Sequence, residues 1–475
     1  MKPFADRKRC SLLTGALTQP SLNRRRRFAV LATVVVIASS TFALAQAGSL
    51  DTTFGTGGIF TTNFTVDGAT VNNAVAIQND GKIVLGGTVP MGQGAALLRL
   101  NTDGTLDSSF GTGGIVTSTF SLVDGAFVYA VAIQPNGQIV AAAGGNFSSD
   151  PPFQGSVGRF NSDGSVDTTF GNSGFAVSQS LISAEGFLNN ALALQADGKI
   201  LVTGSSLIGR YITTGQLDTT FGTNGIAPLI APTATAIAVD SAGRILVTTG
   251  VGAPTSLATT PFLPGQQAGV LARYNTDGSL DRTFGVNGQV ACVASAAALV
   301  IQSNGKIVVA GTIPSALMTT LNGGVTVINN QTGFGVVRYN SNGSIDTTFN
   351  PGGGIGGGGG IVTGFGDSFP AGSAFALAIQ SNGEIVVAGQ AGIGNNGFFT
   401  SSSFALARYT TTGQLDTSFG SNGTVFTALS EAPISFINAL VLQSDGKIVA
   451  AGNTGKTLSG SLYLNNFAVA RYLAQ

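Results

Sequence analysis

The chain has 475 residues, with 69 glycines, 22 basic and 22 acidic side chains, and neither histidine nor tryptophan. Lack of histidine removes Ser-His and Cys-His nucleophile pairs, the commonest general acid–base group and a usual zinc ligand. A chain only 9% charged but 43% hydrophobic, rich in Val, Ile, Thr and Phe, has a β-rich composition that glycine turns must punctuate.

The first segment reads as a leader. "NRRRRFAVLATVVVIASSTFALAQA" joins Arg24 to Arg27 to an apolar run from Phe28 and ends on small residues at Ala45 and Ala47, the layout of a secretory signal peptide. Residues 1–47 are therefore expected to be removed after Ala47, leaving a secreted, periplasmic or cell-surface protein at 48–475. A twin-arginine export signal and an uncleaved membrane anchor are the rival readings. The leader holds eight Lys/Arg and one acid, so the rest retains 14 basic and 21 acidic residues and a net charge of −7. That balance argues against a nucleic-acid partner, since phosphate binding needs clustered basic groups. One cysteine, Cys292, lies beyond the leader, so no internal disulfide is expected there.

From Gly48 onward three elements recur seven times each. "LDTTFG" carries Asp51, Asp107, Asp167, Asp218, Asp281, Asp346 and Asp416, with Phe54, Phe110, Phe170, Phe221, Phe284, Phe349 and Phe419 three residues later. "AVAIQNDGKIVLGGT" and its sister copies place a glycine in a tight turn. An arginine followed by a bulky apolar residue recurs at Arg99, Arg159, Arg210, Arg273, Arg338, Arg408 and Arg471.

In chain order the elements are strands. "GIFTTNF" is the first. Each unit after it comprises "AVAIQ" (strand A), an Asp-Gly or Asn-Gly hairpin turn, "KIVLGG" (B), "ALLRL" (C), the "NTDGTLDSSFGTGG" connection and "GIVTSTF" (D). Six such units are complete. The chain then ends on A ("ALVLQ"), B ("KIVAAG") and C ("FAVARYL"). Four-stranded antiparallel units repeated seven times predict an all-β, seven-bladed β-propeller, with a solenoid as the rival. The first D strand and the last A-B-C are predicted to join, closing the ring with a blade shared by residues 48–66 and 436–475.

The repeat resembles the delta-60 repeat family, β-propeller units of secreted and surface bacterial proteins, on the strength of "AVAIQNDGKIVLGGT", "LLRLNTDGTLDSSFGTGG" and their sister copies. The resemblance covers essentially all of the chain after the leader. It implies a fold and no catalytic residue.

Six arginines precede a motif aspartate by eight residues, and ring closure would give Arg471 to Asp51. These pairs are expected to be structural and partly buried, with an anion-binding arginine ring as the rival; the motif phenylalanines are expected to fill the core between blades. "NTDGSLD" has the spaced oxygens of a calcium loop. Its third residue, however, is Asp103, Asp163 or Asp277 in some copies and Thr214, Asn342 or Thr412 in others. Turn capping explains that variation better.

Asp67, Asp124, Glu185, Asp367 and Glu431 precede strand A in five of the D–A connections. D–A and B–C connections leave one face of such a ring and vary widely, whereas the A–B and C–D turns on the other repeat monotonously. Variable loops on a rigid scaffold commonly form binding surfaces. The five acids are accordingly candidates for a rim that binds calcium or a basic partner. The resulting expectation is a monomeric, non-catalytic scaffold binding a protein, glycan or small ligand, with no membrane contact once the leader is gone. The alternative is a carboxylate- or calcium-dependent hydrolase or lyase at the channel mouth.

Overall fold

The computed structural model describes residues 46–62, 71–89, 94–117, 126–145, 154–177, 191–204, 206–250, 268–293, 295–313, 332–353, 358–366, 368–395, 398–429, 433–458 and 461–474. Among the described residues, twenty-eight strands fall into seven four-stranded antiparallel sheets. After β1 (Ile59–Thr61), the first complete blade comprises β2 (Val71–Ile77), β3 (Ile83–Val89), β4 (Gly94–Leu100) and β5 (Ile115–Thr117). The second runs β6 (Ala126–Ile133), β7 (Ile139–Gly145), β8 (Gln154–Phe160), β9 (Phe175–Val177), and the third β10 (Ala191–Leu194), β11 (Ile200–Thr203), β12 (Leu207–Tyr211), β13 (Ile226–Pro228). The fourth is β14 (Ala234–Val239), β15 (Ile245–Thr249), β16 (Gly269–Tyr274), β17 (Gln289–Cys292), and the fifth β18 (Ser295–Ile301), β19 (Ile307–Ile313), β20 (Gly333–Tyr339), β21 (Gly360–Thr363). The sixth is β22 (Ala371–Ile379), β23 (Ile385–Asn395), β24 (Phe398–Tyr409) and β25 (Thr424–Thr427). Finally β26 (Ile434–Leu442), β27 (Ile448–Leu458) and β28 (Ser461–Tyr472) make a blade with β1, in the order β1-β28-β27-β26. The fold is a seven-bladed, all-β propeller.

Local chemistry sets these elements. In the first A–B turn the Asp80 carboxylate accepts a hydrogen bond from the Lys82 amide, and Gly81 adopts φ +84°, which a side chain would strain. The Val/Ile/Leu strands that follow are buried: β3 at every position from Ile83 to Thr88, and β4 at all seven. The A strands of successive blades touch one another and form the inner ring, including β2 against β26 across the closure.

One cluster repeats between all blades. Arg99 Nε donates to Asp107 Oδ2 at 2.8 Å, its guanidinium lies 4.6 Å from the Phe110 ring centre, and its Nη1 donates to the Ser162 carbonyl of the next blade. Arg159 reaches the Thr213 carbonyl at 2.6 Å and Arg338 that of Thr411 at 2.7 Å in the same way. Beside each arginine a backbone amide just after the motif phenylalanine also crosses the gap. Gly55 donates to the Asp103 carbonyl, Gly111 to Asp163, and so on around the ring to Gly420 and Ala47. Gly104 (φ +83°) sits so close to the Phe54 ring that a Cβ there would approach it within 2.8 Å, so the turn cannot carry a side chain.

The closing blade follows the same plan across the two ends of the chain. Ile59 pairs with Ala470, Thr61 with Ala468 and Leu50 with Tyr472. Arg471 Nε donates to Asp51 Oδ2 at 2.9 Å, 420 residues apart. Phe54 packs among Val75, Leu85 and Leu98 of the first complete blade and Val449 and Val469 of the closing one.

The motif aspartates are held ionised. Burial alone would raise Asp51, but the Thr53 hydroxyl and amide and the Arg471 guanidinium outweigh it and bring it down to about 2. Asp107, Asp167, Asp218, Asp281, Asp346 and Asp416 are likewise lowered overall by their own Ser/Thr and basic partners.

Replacing Arg471 by Met should cost roughly 3–5 kcal/mol, the range for stranding one partner of a buried pair, because the Asp51 carboxylate then keeps Thr53 and, as its cation, the partly exposed Lys447 Nζ at 3.3 Å. Urea unfolding of R471M beside R99M measures it, and a loss near zero at Arg471 would mean that closure does not depend on this pair. A depressed carboxyl pKa contributes stability above its unfolded value of about 4. Stability should therefore hold from neutral pH to about 4 and fall steeply toward 2, a window that acid unfolding followed by circular dichroism will show.

Candidate functional site

Strands alternate in direction within each blade, so the A–B and C–D turns leave one face, and the B–C and D–A connections leave the other. The two faces differ in chemistry.

On the first face the charges are consumed by one another. Asp107 Oδ1 accepts from the Ser109 amide and hydroxyl, at 3.1 and 2.7 Å, while its Oδ2 takes Arg99 and, at 2.9 Å, Lys82 Nζ. Arg99 spends its remaining donors on Gln78, Ser162 and Ser109. Lys199, Lys306 and Lys447 meet Asp218, Asp346 and Asp51 in the same position. Such saturated arginines are poorly suited to capturing an external anion.

The turn oxygens are occupied as well. Asp103 Oδ1 accepts from the Thr105 amide at 2.9 Å and hydroxyl at 2.6 Å, and Asp163, Asp277 and Asn342 cap their turns identically. Among the described residues no group of three His, Cys, Asp or Glu is placed to hold a metal ion. A cleft of about 820 Å³ does open on this face between the closing and first blades, lined by Gln78, Asp80, Asp103, Asp445, Lys447 and Arg471.

On the opposite face the five acids singled out from sequence, Asp67, Asp124, Glu185, Asp367 and Glu431, lie outside the described residues. What the structure does place there is a set of bulges in the inner strands. Register shifts in six A strands leave one extra residue each: Asn73, Tyr129, Thr235, Ala297, Phe375 and Asn438. A bulge bends its strand and re-aims a side chain, and all six are half-buried.

Several of them meet across blades. Asn438 Nδ2 donates to Asn73 Oδ1 at 3.4 Å, and Asn73 Nδ2 donates to the Val128 carbonyl at 3.4 Å. Phe375 stands 6.3 Å from Phe436, and Phe127 6.1 Å from Tyr129, ring centre to ring centre. Burial pushes the Tyr129 phenol up to about 12, so it is a neutral hydroxyl that donates and accepts hydrogen bonds. Among the described residues, the arc from the sixth blade to the second is thus aromatic and amide in character.

Long hairpins flank this arc. β23 and β24 have 11 and 12 residues, as do β27 and β28, against seven each in β3 and β4. Pairing continues to Asn395 with Phe398 and to Leu458 with Ser461. At about 3.3 Å per residue the paired strands of these two hairpins run roughly 13 Å longer than β3 and β4. The Ser402 hydroxyl donates to the Ser435 carbonyl at 3.0 Å and the Ser435 hydroxyl to the Ser402 carbonyl at 3.2 Å, joining the base of the first hairpin to β26.

Sequence reasoning passed over the bulges, although a signal was present. The residue just before the repeated alanine of strand A (Ala74, Ala130, Ala236, Ala298, Ala376, Ala439) is Asn, Tyr, Thr, Ala, Phe or Asn, unlike its constant neighbour.

Six stretches match a family model described as a domain of unknown function (DUF5122) beta-propeller: residues 78–110, 134–170, 195–221, 264–284, 322–349 and 380–419. The repeat is a propeller repeat. Each matched stretch ends on a motif phenylalanine, the last on Phe419 after passing the long hairpin. No curated protein matches the chain. Among solved structures, a polysaccharide lyase is 12% identical over 92% of this chain and 94% of its own, with a TM-score of 0.40. Drosophila Plexin A in complex with Semaphorin 1b is 11% identical over 90% and 87% (0.38). The PQQ-bound aldose sugar dehydrogenase of Streptomyces coelicolor is 11% identical over 86% and 98% (0.37). Likeness at this level assigns no activity to this chain.

The constant face contains one mismatch that can be tested. At the position of Lys82, the sixth blade has Glu384, whose Oε2 is buried without a hydrogen bond and lies 3.2 Å from Arg408 Nε. The second blade has Gln138 there, donating to Asp167 Oδ2 at 2.7 Å. Glu384→Gln should supply the same donor to Asp416 and raise stability by about 1 kcal/mol, read as a higher denaturation midpoint. An unchanged or lower midpoint would show that Glu384 is satisfied where it stands.

Proposed function

We propose that this chain is exported and serves as a non-catalytic binding scaffold of the delta-60 type, taking its ligand on the face of the B–C and D–A connections. The observation that supports this most is the contrast between faces: one spends its charges on internal pairs, the other carries half-buried aromatics and amides beside two extended hairpins. Ligand sites are typically built from aromatic and apolar walls with a few placed polar groups. Phe375, Phe436 and Tyr129 offer ring faces, Asn73 and Asn438 offer amides, and none of these five is charged. An uncharged saccharide matches that chemistry, its C–H faces stacking on rings and its hydroxyls meeting amides.

Titration calorimetry with neutral and uronic-acid oligosaccharides tests the reading. Neutral saccharides should bind, and Phe375→Ala or Asn73→Ala should weaken them by about 1–2 kcal/mol each, with the fold unchanged by circular dichroism. Binding indifferent to both substitutions, or confined to the uronic acids, would contradict it.

A further inference from the structure

We propose that the leader is removed after Ala45, so that the exported chain begins at Gln46; the inference rests on the export reading above. Two small-x-small endings are available, Ala43-Leu44-Ala45 and Ala45-Gln46-Ala47, and such an ending is what a signal-processing protease reads. The closing blade distinguishes them.

Within the first complete blade the C–D turn is continuous, and two consecutive carbonyls serve the preceding blade. Thr102 accepts from Arg471 Nη1 and Asp103 from the Gly55 amide. In the closing blade that turn is assembled from both ends of the chain. Ala474 supplies the first carbonyl, to Arg408 Nη1 at 2.6 Å, and Ala47 supplies the second, to the Gly420 amide at 2.8 Å. Gln46 belongs to the same turn: its carbonyl accepts from the Ser49 amide at 2.9 Å, and its Nε2 donates to the Gly420 carbonyl at 2.6 Å.

Cleavage after Ala47 would remove both residues and break these contacts. It would also convert the amide nitrogen of Gly48 into an ammonium ion. Gly48 is buried, with its nitrogen 2.8 Å from the Leu473 carbonyl, and a buried charge is costly without a full set of partners. Cleavage after Ala45 places the new ammonium on Gln46, which is exposed, and keeps every contact of the turn.

The test uses the full chain with its leader, expressed in a bacterial host and recovered after export, with intact mass and terminal peptides read by mass spectrometry. A chain starting at Gln46 is expected, and one starting at Gly48 overturns the inference. A chain still carrying residues 1–45 defeats the export reading itself, a distinguishable result. Ala47→Leu sharpens the comparison, because it puts a large residue at the scissile position of the Ala47 site only. This variant should be processed at Gln46 as before, and retention of its leader would overturn the proposal.

Discussion

The propeller depends on a buried arginine whose guanidinium serves two blades at once. Its Nε holds the aspartate of its own blade, as Arg159 does with Asp167 at 2.6 Å, and its Nη1 reaches a backbone carbonyl of the next, as in Arg159 to Thr213. Buried ion pairs are not intrinsically stabilising, since desolvation offsets their attraction. Here the cost is limited because the lone pairs and donors are satisfied: the second carboxylate oxygen caps the Thr169 amide and hydroxyl, and the ring of Phe170 covers the guanidinium. The cluster contributes a fixed angle between neighbouring blades. Seven repetitions of one angle close a circle.

The closing blade keeps that constraint with two separate stretches of chain. In its C–D turn the Leu473 amide donates to Ser49 and the Gly48 amide to Leu473, reproducing the bonds that Asn101 makes with Thr105 and Gly104 in a continuous turn. The two stretches thereby divide between them the contacts that one loop makes elsewhere. Closure is as specific as any internal junction.

The fold was legible in the sequence because its determinants are short-range and repeated. Arginine and aspartate stand eight residues apart because the C–D turn doubles back, with the Asp107 amide donating to the Arg99 carbonyl and Leu100 bridging Leu106. Asp-Gly and Asn-Gly turns mark six of the seven A–B hairpins, the fourth turning on Ala242-Gly243, and a lone D strand at Ile59–Thr61 is matched by a last unit that has A, B and C alone. The bulged face was less legible. Bulges depend on register between strands, which periodicity does not report, and the meeting of Asn73 with Asn438 or of Phe375 with Phe436 joins residues from different blades. Extended pairing in β23/β24 and β27/β28 runs through sequences such as "AGIGNNGFFTSSS", where glycine and serine mask the strands.

Variation among the repeats separates the two faces. On the constant face two departures from the repeat are answered locally, Glu384 being the mismatch that is not. Gln138 replaces a lysine and still donates to the motif aspartate; Arg244 turns to Asp240 at 2.8 Å, leaving Asp281 to Arg273. Such exchanges conserve a function within the blade, namely neutralising a buried carboxylate. At the bulges, by contrast, asparagine, tyrosine, threonine, alanine, phenylalanine and asparagine succeed one another with no common chemistry. Those positions share a backbone distortion but no side-chain role. The bulges of the inner strands, with the two extended hairpins beside them, are where the described structure departs from the seven-fold repeat.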